Sequence, residues 1–269
     1  MKWPTKMKVL EWAAVAFIAA AVPAFADLTI VSKLTEDGKS EIATSYLSAS
    51  KARMVQPGGH EIIVDGTKSE MIVVDHNKKQ YSVMTKQEIQ EAAVRMREQM
   101  KQASAQLEEA MKNAPPETRE QMKKAMGSMN GGMAAALNVK KGAGGRQIAG
   151  YKCDNWIVTV GEMSKTEECL STDLPVPTDS WQSFQSMEDS LQSIGPGAKE
   201  MREKMKEAKG FPLASTTTTN IMGKTQTSAT EVQEIKRDPI APSVFELPAG
   251  YEKVDSPLKD ASVSAPAKK

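Results

Sequence analysis

Six short β-prone segments follow one another along the first third of the chain, with no helical stretch between them. They cover residues 28–34, 41–47, 52–55, 61–64, 70–74 and 80–84. Residues that favour tight turns separate the segments, as in Asp65-Gly66 and Pro57-Gly58-Gly59. Strands this closely spaced leave no room for the helical crossovers of a parallel sheet. The region therefore predicts an antiparallel meander.

The first 26 residues have the pattern of a cleavable secretory signal. Lys2, Lys6 and Lys8 precede an apolar run of about ten residues, and alanines then stand at positions 24 and 26. We expect cleavage between Ala26 and Asp27, and a mature protein in the periplasm or outside the cell. The apolar run is too short to span a bilayer comfortably.

Two helical insertions are predicted, at about 85–134 and about 178–209. Thr85 and Glu88 form a capping box at the start of the first insertion. Trp181 and Phe184 are the largest apolar side chains of the second. The apolar stripe of the first helix contains Ile89, Ala93, Met96, Met100, Ala103, Leu107 and Ala110. The glycines within 142–145 predict a flexible connector back to strands.

A second strand-rich region contains the two cysteines of the mature chain. Residues 154–160 and 165–171 predict a hairpin, and a turn centred on Gly161 places Cys153 opposite Cys169. An even number of cysteines in an exported chain favours a disulfide over the alternative of two free, buried thiols. The Cys-x-x-Cys spacing of a redox-active pair is absent.

The remaining strands complete one domain over residues 27–255, and a tail follows it. Residues 211–222 and 224–236 predict a third hairpin, and 245–248 a short edge segment. From Ser256 onward the composition is rich in Ser, Ala, Pro and Lys, which predicts a disordered tail over 256–269.

Charge and motif content exclude several classes of function. The formal net charge is +1, and removal of the leader would bring it to about −1, which argues against a nucleic-acid partner. His60 and His76 both fall at predicted turns, so we interpret them as solvated residues and not as metal ligands or catalytic bases. No nucleotide-binding or hydrolase motif is present. We therefore expect no enzyme activity, no cofactor and no metal.

The methionines leave one alternative open. The chain has 17 methionines, and Met96/Met100, Met122/Met126 and Met201/Met205 each place two thioethers on one helical face. Such pairs are able to bind Cu(I), so periplasmic copper handling is an alternative. We favour an adaptable apolar cover, because no His or Cys reinforces the sulfur pairs.

Several stretches resemble a known family. They are 46–53, 62–65, 71–76 and 81–84 in the first half, and 210–213, 230–232 and 245–251 in the second. Together they resemble an exported bacterial domain-of-unknown-function family that looks like the lipoprotein-carrier superfamily (LolA, LolB, LppX). This resemblance implies an incomplete, strongly curved antiparallel β-barrel with helices across its open face, and an apolar concave side that holds acyl chains.

We therefore expect an α+β protein that binds an apolar, lipid-like ligand between the curved sheet and the Met-rich helices. A lipid or a lipidated protein is the expected partner, with peripheral association with the envelope. The alternative is a cell-envelope interaction module with no small ligand. The expected ligand-binding residues are Met96, Met100, Leu107, Trp181 and Phe184.

Overall fold

A computed structural model describes residues 27–113, 115, 136–177, 203–221 and 224–259. These residues leave out the leader before Asp27, the C-terminal part of the first predicted insertion, most of the second insertion and residues 260–269. Within the described ranges the chain forms one long helix and twelve strands in a single sheet. The sheet is antiparallel except at one edge, and it is open and not closed into a barrel, as predicted.

Most sequence-predicted strands are confirmed within a few residues. The strands are β1 Leu28–Glu36, β2 Lys39–Leu47, β3 Lys51–Gln56, β4 His60–Asp65, β5 Glu70–Asp75, β6 Gln80–Thr85, β7 Leu137–Ile148, β8 Tyr151–Val160, β9 Ser164–Ser171, β10 Phe211–Ile221, β11 Lys224–Lys236 and β12 Glu252–Val254. Helix α1 spans Lys86–Asn113. Across the sheet the order is β12-β6-β5-β4-β3-β2-β1-β11-β10-β9-β8-β7.

One face of the meander carries a continuous buried row, and we call this the inner face. Cross-strand pairing joins its members directly: Leu28, Leu47, Ala52, Val64, Met71 and Met84. All six are buried. Helix α1 adds Ile89 to the same cluster. The row forms because strand residues alternate between faces, so every second apolar residue lies on one side.

The capping box that begins α1 is confirmed. The backbone N–H of Glu88 donates to Thr85 Oγ1 at 3.1 Å, and the backbone N–H of Thr85 donates to Glu88 Oε2 at 2.9 Å. Ile89, Ala92 and Ala93 are buried at the start of the helix, whereas Val94 is 52 % exposed. The first turns of α1 therefore attach the helix to the sheet.

The other side of the meander, which we call the outer face, lies under the C-terminal segment. A short 3-10 helix at Pro242–Phe245 packs against β3, and Phe245 is buried. Beyond it, β12 pairs in parallel with β6 at the edge of the sheet. The 245–248 segment is thus not the edge strand that we expected. Proline lacks a backbone N–H for a strand ladder, and the edge is paired a few residues later.

Two other expectations are corrected. Residues 142–145 do not form a connector but lie inside β7, where the pairing with β8 shifts between Lys141 and Gly145. The tail is ordered over its described residues 256–259, because Ser256 is buried and Leu258 packs against the core. Arg95 Nη2 also donates to the Leu258 carbonyl at 3.0 Å. This local docking outweighs the polar composition of the segment.

Candidate functional site

Strands β8 and β9 form the disulfide-linked hairpin. Cys153 and Cys169 are joined, with their Cα atoms 5.2 Å apart. The predicted register was wrong, because Cys169 lies opposite Asn155, so Cys153 is its diagonal neighbour. The hairpin closes at Val160–Ser164 around a three-residue turn, which moves its centre from residue 161 to residue 162.

The corrected register places Trp156 directly opposite Glu168, which in turn lies opposite Ser215 on β10. Pairing continues from Ser215 to Thr230 on β11 and then to Leu34 on β1. Leu34 lies six residues after Leu28 on β1, so both side chains project from the inner face. Because directly opposed residues project from the same side of a sheet, Trp156 and Glu168 lie on the inner face.

Apolar and charged side chains surround this pair on the inner face, where Lys141 lies directly opposite Trp156 and pairs with Asp154 at 2.7 Å. Val158 is two residues from Trp156 along β8, and Val139 on β7 lies directly opposite Val158. All three apolar side chains are half-buried. We name Val139, Trp156 and Val158 the β8 patch. It leaves part of an apolar surface uncovered.

A second half-buried apolar set lies on the inner face of the meander. Met54, Ile62 and Val73 are paired across β3, β4 and β5, in the row next to the fully buried one. Each is half-buried. We name this set the β4 patch. The inner face therefore contains a packed row and two incompletely covered apolar patches.

Glu168 differs from the other charged side chains around the hairpin. In the part of the chain that the structure describes, no hydrogen bond or ion pair engages its carboxyl group. Burial raises the pKa of Glu168 from its ordinary value, and no neighbouring charge opposes this shift. By contrast, Glu167 pairs with Lys165 at 2.5 Å, and Arg146 pairs with Glu231 at 3.4 Å.

A groove of about 410 Å³ lies where β7 bulges away from β8. Asn155 Nδ2 donates to the Ala143 carbonyl at 3.1 Å and holds the bulge in place. A Cβ atom at Gly145 would lie 2.7 Å from the Cys153 carbonyl oxygen, so glycine is required there. The lining residues are Gly142, Ala143, Arg146, Asn155, Trp156, Ile157, Glu167, Glu168, Cys169 and Thr216.

Alternation divides these lining residues between the two faces. Asn155, Ile157 and Glu167 alternate with Trp156 and Glu168 along β8 and β9, so their side chains project from the opposite side of the sheet. The side chains that face the groove are therefore mainly polar. An acyl chain fits the half-buried apolar patches of the inner face better than it fits this groove.

A polar cluster fastens the C-terminal segment to the outer face. The buried Glu61 carboxylate accepts from the Arg53 guanidinium, whose Nη1 also donates to the Val244 carbonyl at 2.5 Å. His76 Nε2 lies 2.8 Å from Glu61 Oε1, without the alignment of a hydrogen bond. His76 Nδ1 is 2.6 Å from the Tyr251 hydroxyl oxygen. His76 is thus not the solvated turn residue that we predicted.

The structure describes the side chains of two of the five sequence-predicted ligand residues, Met96 and Leu107. Met96 and Leu107 are half-buried on α1. The side chain of Met100 lies outside the described part of the chain, as do Trp181 and Phe184. The copper pairs also remain untested, because each includes at least one methionine outside it. The ligand assignment of these residues stays a prediction.

Trp156 and Glu168 were missed because of the hairpin register. With a turn centred on Gly161, Trp156 would face Thr166, and an aromatic–threonine pair gives no sign of a site. A three-residue turn at 161–163, had it been predicted, would have placed Trp156 opposite the carboxylate of Glu168. The length of the turn thus decides which side chains of β8 and β9 lie opposite each other.

The described residues contain neither a cluster of metal-ligating side chains nor a membrane-spanning helix. No group of three or more His, Cys, Asp or Glu side chains in the described ranges is placed to hold a metal ion. No helix in the described part of the chain has the length and hydropathy needed to cross a membrane.

Comparison with known proteins gives one family match. Residues 122–251 match the model of DUF4412, described as a domain of unknown function. The match covers β7 to β11 and the 3-10 helix, and so includes both Trp156 and Glu168. No curated protein sequence matches the chain. The predicted resemblance to a family of unknown function is confirmed.

Solved structures show only distant likeness. The MucA/MucB complex of Pseudomonas aeruginosa gives a TM-score of 0.41 at 12% identity, covering 85% of this chain and 58% of that chain. The structure of PNGF-II gives a TM-score of 0.40 at 10% identity, covering 86% of this chain and 32% of the PNGF-II chain. A LolA superfamily protein of Nitrosomonas europaea gives 0.24 at 7% identity, covering 83% and 91%. The chain thus spans about a third of PNGF-II and under three fifths of that MucB chain. TM-scores this low do not establish a common function.

Proposed function

We propose that this chain is a non-catalytic exported binding protein that holds an apolar or lipid-like ligand against the inner face of its sheet. The disulfide supports export, because such bonds persist in oxidising compartments. The pattern of residues 1–26 supports the same compartment. We assign the protein to the periplasm or the exterior of the cell on these two grounds.

The half-buried apolar patches carry this proposal. On the inner face, the row from Leu28 to Met84 has its apolar side chains fully covered by the protein itself. The β4 patch and the β8 patch remain half-buried on that same face. Apolar surface of this kind gains free energy when a ligand covers it, at about 25 cal/mol for each Å² removed from water.

The binding experiment uses a fluorescent fatty-acid probe and lipid extracted from the host envelope as competitor. Val158→Thr places a hydroxyl in the β8 patch without a change in volume, and Val83→Thr is the matched control. Val83 is half-buried, and its alternation with Met84 places it on the outer face. We expect displaceable binding that Val158→Thr weakens and Val83→Thr leaves unchanged. Equal effects of the two substitutions, or no binding at micromolar probe, would contradict the proposal.

The second candidate is an envelope interaction module that uses α1. Val94 is 52 % exposed on this helix, and Met96, Leu107 and Met111 are half-buried. An amphipathic helix with uncovered apolar residues is a common protein-docking element. Val94→Lys should then abolish capture of an envelope protein while leaving fatty-acid binding intact. The reverse pattern would favour the ligand-binding function.

A further inference from the structure

We propose that the inner face recognises an organic ammonium group, with the Glu168 carboxylate as its counter-ion and the Trp156 ring as its apolar and cation–π contact. The inference rests on the proposed function and specifies the ligand as a cationic amphiphile. Its headgroup would lie at Glu168 and its chain along the β8 patch.

The pairing register provides the first argument. Trp156 and Glu168 are directly opposed on β8 and β9, a relationship that brings the Cβ atoms of such pairs to about 4.5–5.5 Å. A cation between an indole ring and a carboxylate gains from both groups, because the ring face is electron-rich. Ser215, on the other side of Glu168, adds a hydroxyl group.

Charge balance provides the second argument. On the inner face around Glu168, Asp154 already pairs with Lys141 at 2.7 Å. On the outer face, Glu167 and Arg146 are paired as described above. Glu168 is therefore a half-buried carboxylate of this region with which no cation of the described residues pairs. Because this half-buried carboxylate has lost part of its hydration, a cation that pairs with it would offset the cost of keeping its charge there.

The surroundings favour an organic cation over a metal ion. Calcium takes six to eight oxygen ligands and magnesium a near-ideal octahedron, whereas Glu168 offers one carboxylate beside apolar Trp156 and Val158. An alkylammonium is weakly hydrated on its methyl or methylene groups, which fit against the indole ring and the valines. The carboxylate of Glu168 and its apolar neighbours therefore both favour an alkylammonium ligand.

The probes are dodecyltrimethylammonium, dodecyl sulfate and dodecyl maltoside, which share one chain and differ in headgroup, together with tetramethylammonium. The protein carries Trp181→Phe, so that Trp156 is the remaining tryptophan of the mature chain and reports binding by its fluorescence. All titrations are done below the critical micelle concentrations. We expect dodecyltrimethylammonium to bind at least tenfold more tightly than either other amphiphile.

Substitution of the carboxylate separates this inference from the proposed function. Glu168→Gln should remove the preference for the cationic headgroup, and Glu167→Gln, the matched control, should retain it. Equal binding of the three amphiphiles would overturn the ammonium site and leave the apolar-ligand function standing. Absence of all amphiphile binding would overturn both. Tight tetramethylammonium binding would identify the ligand as a free cation and overturn the amphiphile assignment.

Discussion

His76 in the β5–β6 turn contacts Tyr251 in the C-terminal segment, with His76 Nδ1 2.6 Å from the Tyr251 hydroxyl oxygen and the two rings in an edge-to-face arrangement. The residues are 175 positions apart. Their contact fixes the segment that leads into β12, whose parallel pairing with β6 begins at the next residue. This contact therefore acts together with the Arg53–Val244 hydrogen bond and the β12–β6 pairing to hold the C-terminal segment on the meander.

Tyr251→Phe should lower the free energy of unfolding by about 1 kcal/mol, because it removes a half-buried hydrogen bond and retains the ring. Tyr81→Phe is the matched control, since no hydrogen bond to the Tyr81 hydroxyl is present in the described structure. Urea denaturation measures both variants. Equal losses in the two would show that the His76 contact does not stabilise the C-terminal segment.

Glu61 should be the most sensitive charged residue of the outer face. Its side chain is 7% exposed and contacts both Arg53 and His76. Glu61→Ala should cost about 3 kcal/mol or more, because it leaves the Arg53 guanidinium, 15% exposed, without its carboxylate. The double variant Arg53→Met, Glu61→Leu should be more stable than Glu61→Ala. If the double variant is the less stable of the two, the loss does not arise from an unpaired buried charge.

The sequence predicted the meander well because its turns are encoded locally. Asp37 and Gly38, for example, both adopt positive φ between β1 and β2, which Asp and Gly accept more readily than most residues. The capping box at Thr85 is equally local. These features need only neighbouring residues to be recognised.

The candidate site was harder to predict from the sequence, because it depends on strand register and on contacts between residues far apart in the chain. One residue of difference in the centre of the β8–β9 turn changed the partner of Trp156 from Thr166 to Glu168. The environment of His76 depends on Tyr251, far along the chain. Neither relationship is encoded in a short sequence window.

Reduction of the Cys153–Cys169 bond should lower the free energy of unfolding by about 3 kcal/mol, as chain-entropy arguments give for a short closed loop. The residues are 16 positions apart. Thermal unfolding with and without reductant measures the loss. The Cys153→Ala, Cys169→Ala variant should be insensitive to reductant. Thiol titration of denatured, unreduced protein isolated from the periplasm should find no free thiol, and two titratable thiols would contradict the disulfide.

Glu168→Gln should increase stability at neutral pH. Burial raises the pKa of Glu168 above its ordinary value of 4.5, so the ionised form is disfavoured in the folded state relative to the unfolded chain. Stability from this group is therefore fully present below the unfolded pKa and is lost as pH rises through the folded pKa. Glutamine cannot ionise and avoids that loss.

The difference in melting temperature between Glu168→Gln and the parent should thus be positive at pH 7 and should shrink toward zero below pH 4. Glu167→Gln is the control, because Glu167 is exposed and paired with Lys165. It should show no comparable gain at neutral pH. A dodecyltrimethylammonium ligand should reduce the advantage of Glu168→Gln, because it stabilises the ionised parent and not the variant. A gain that is independent of both pH and ligand would mean that Glu168 destabilises the fold through packing and not through its buried charge.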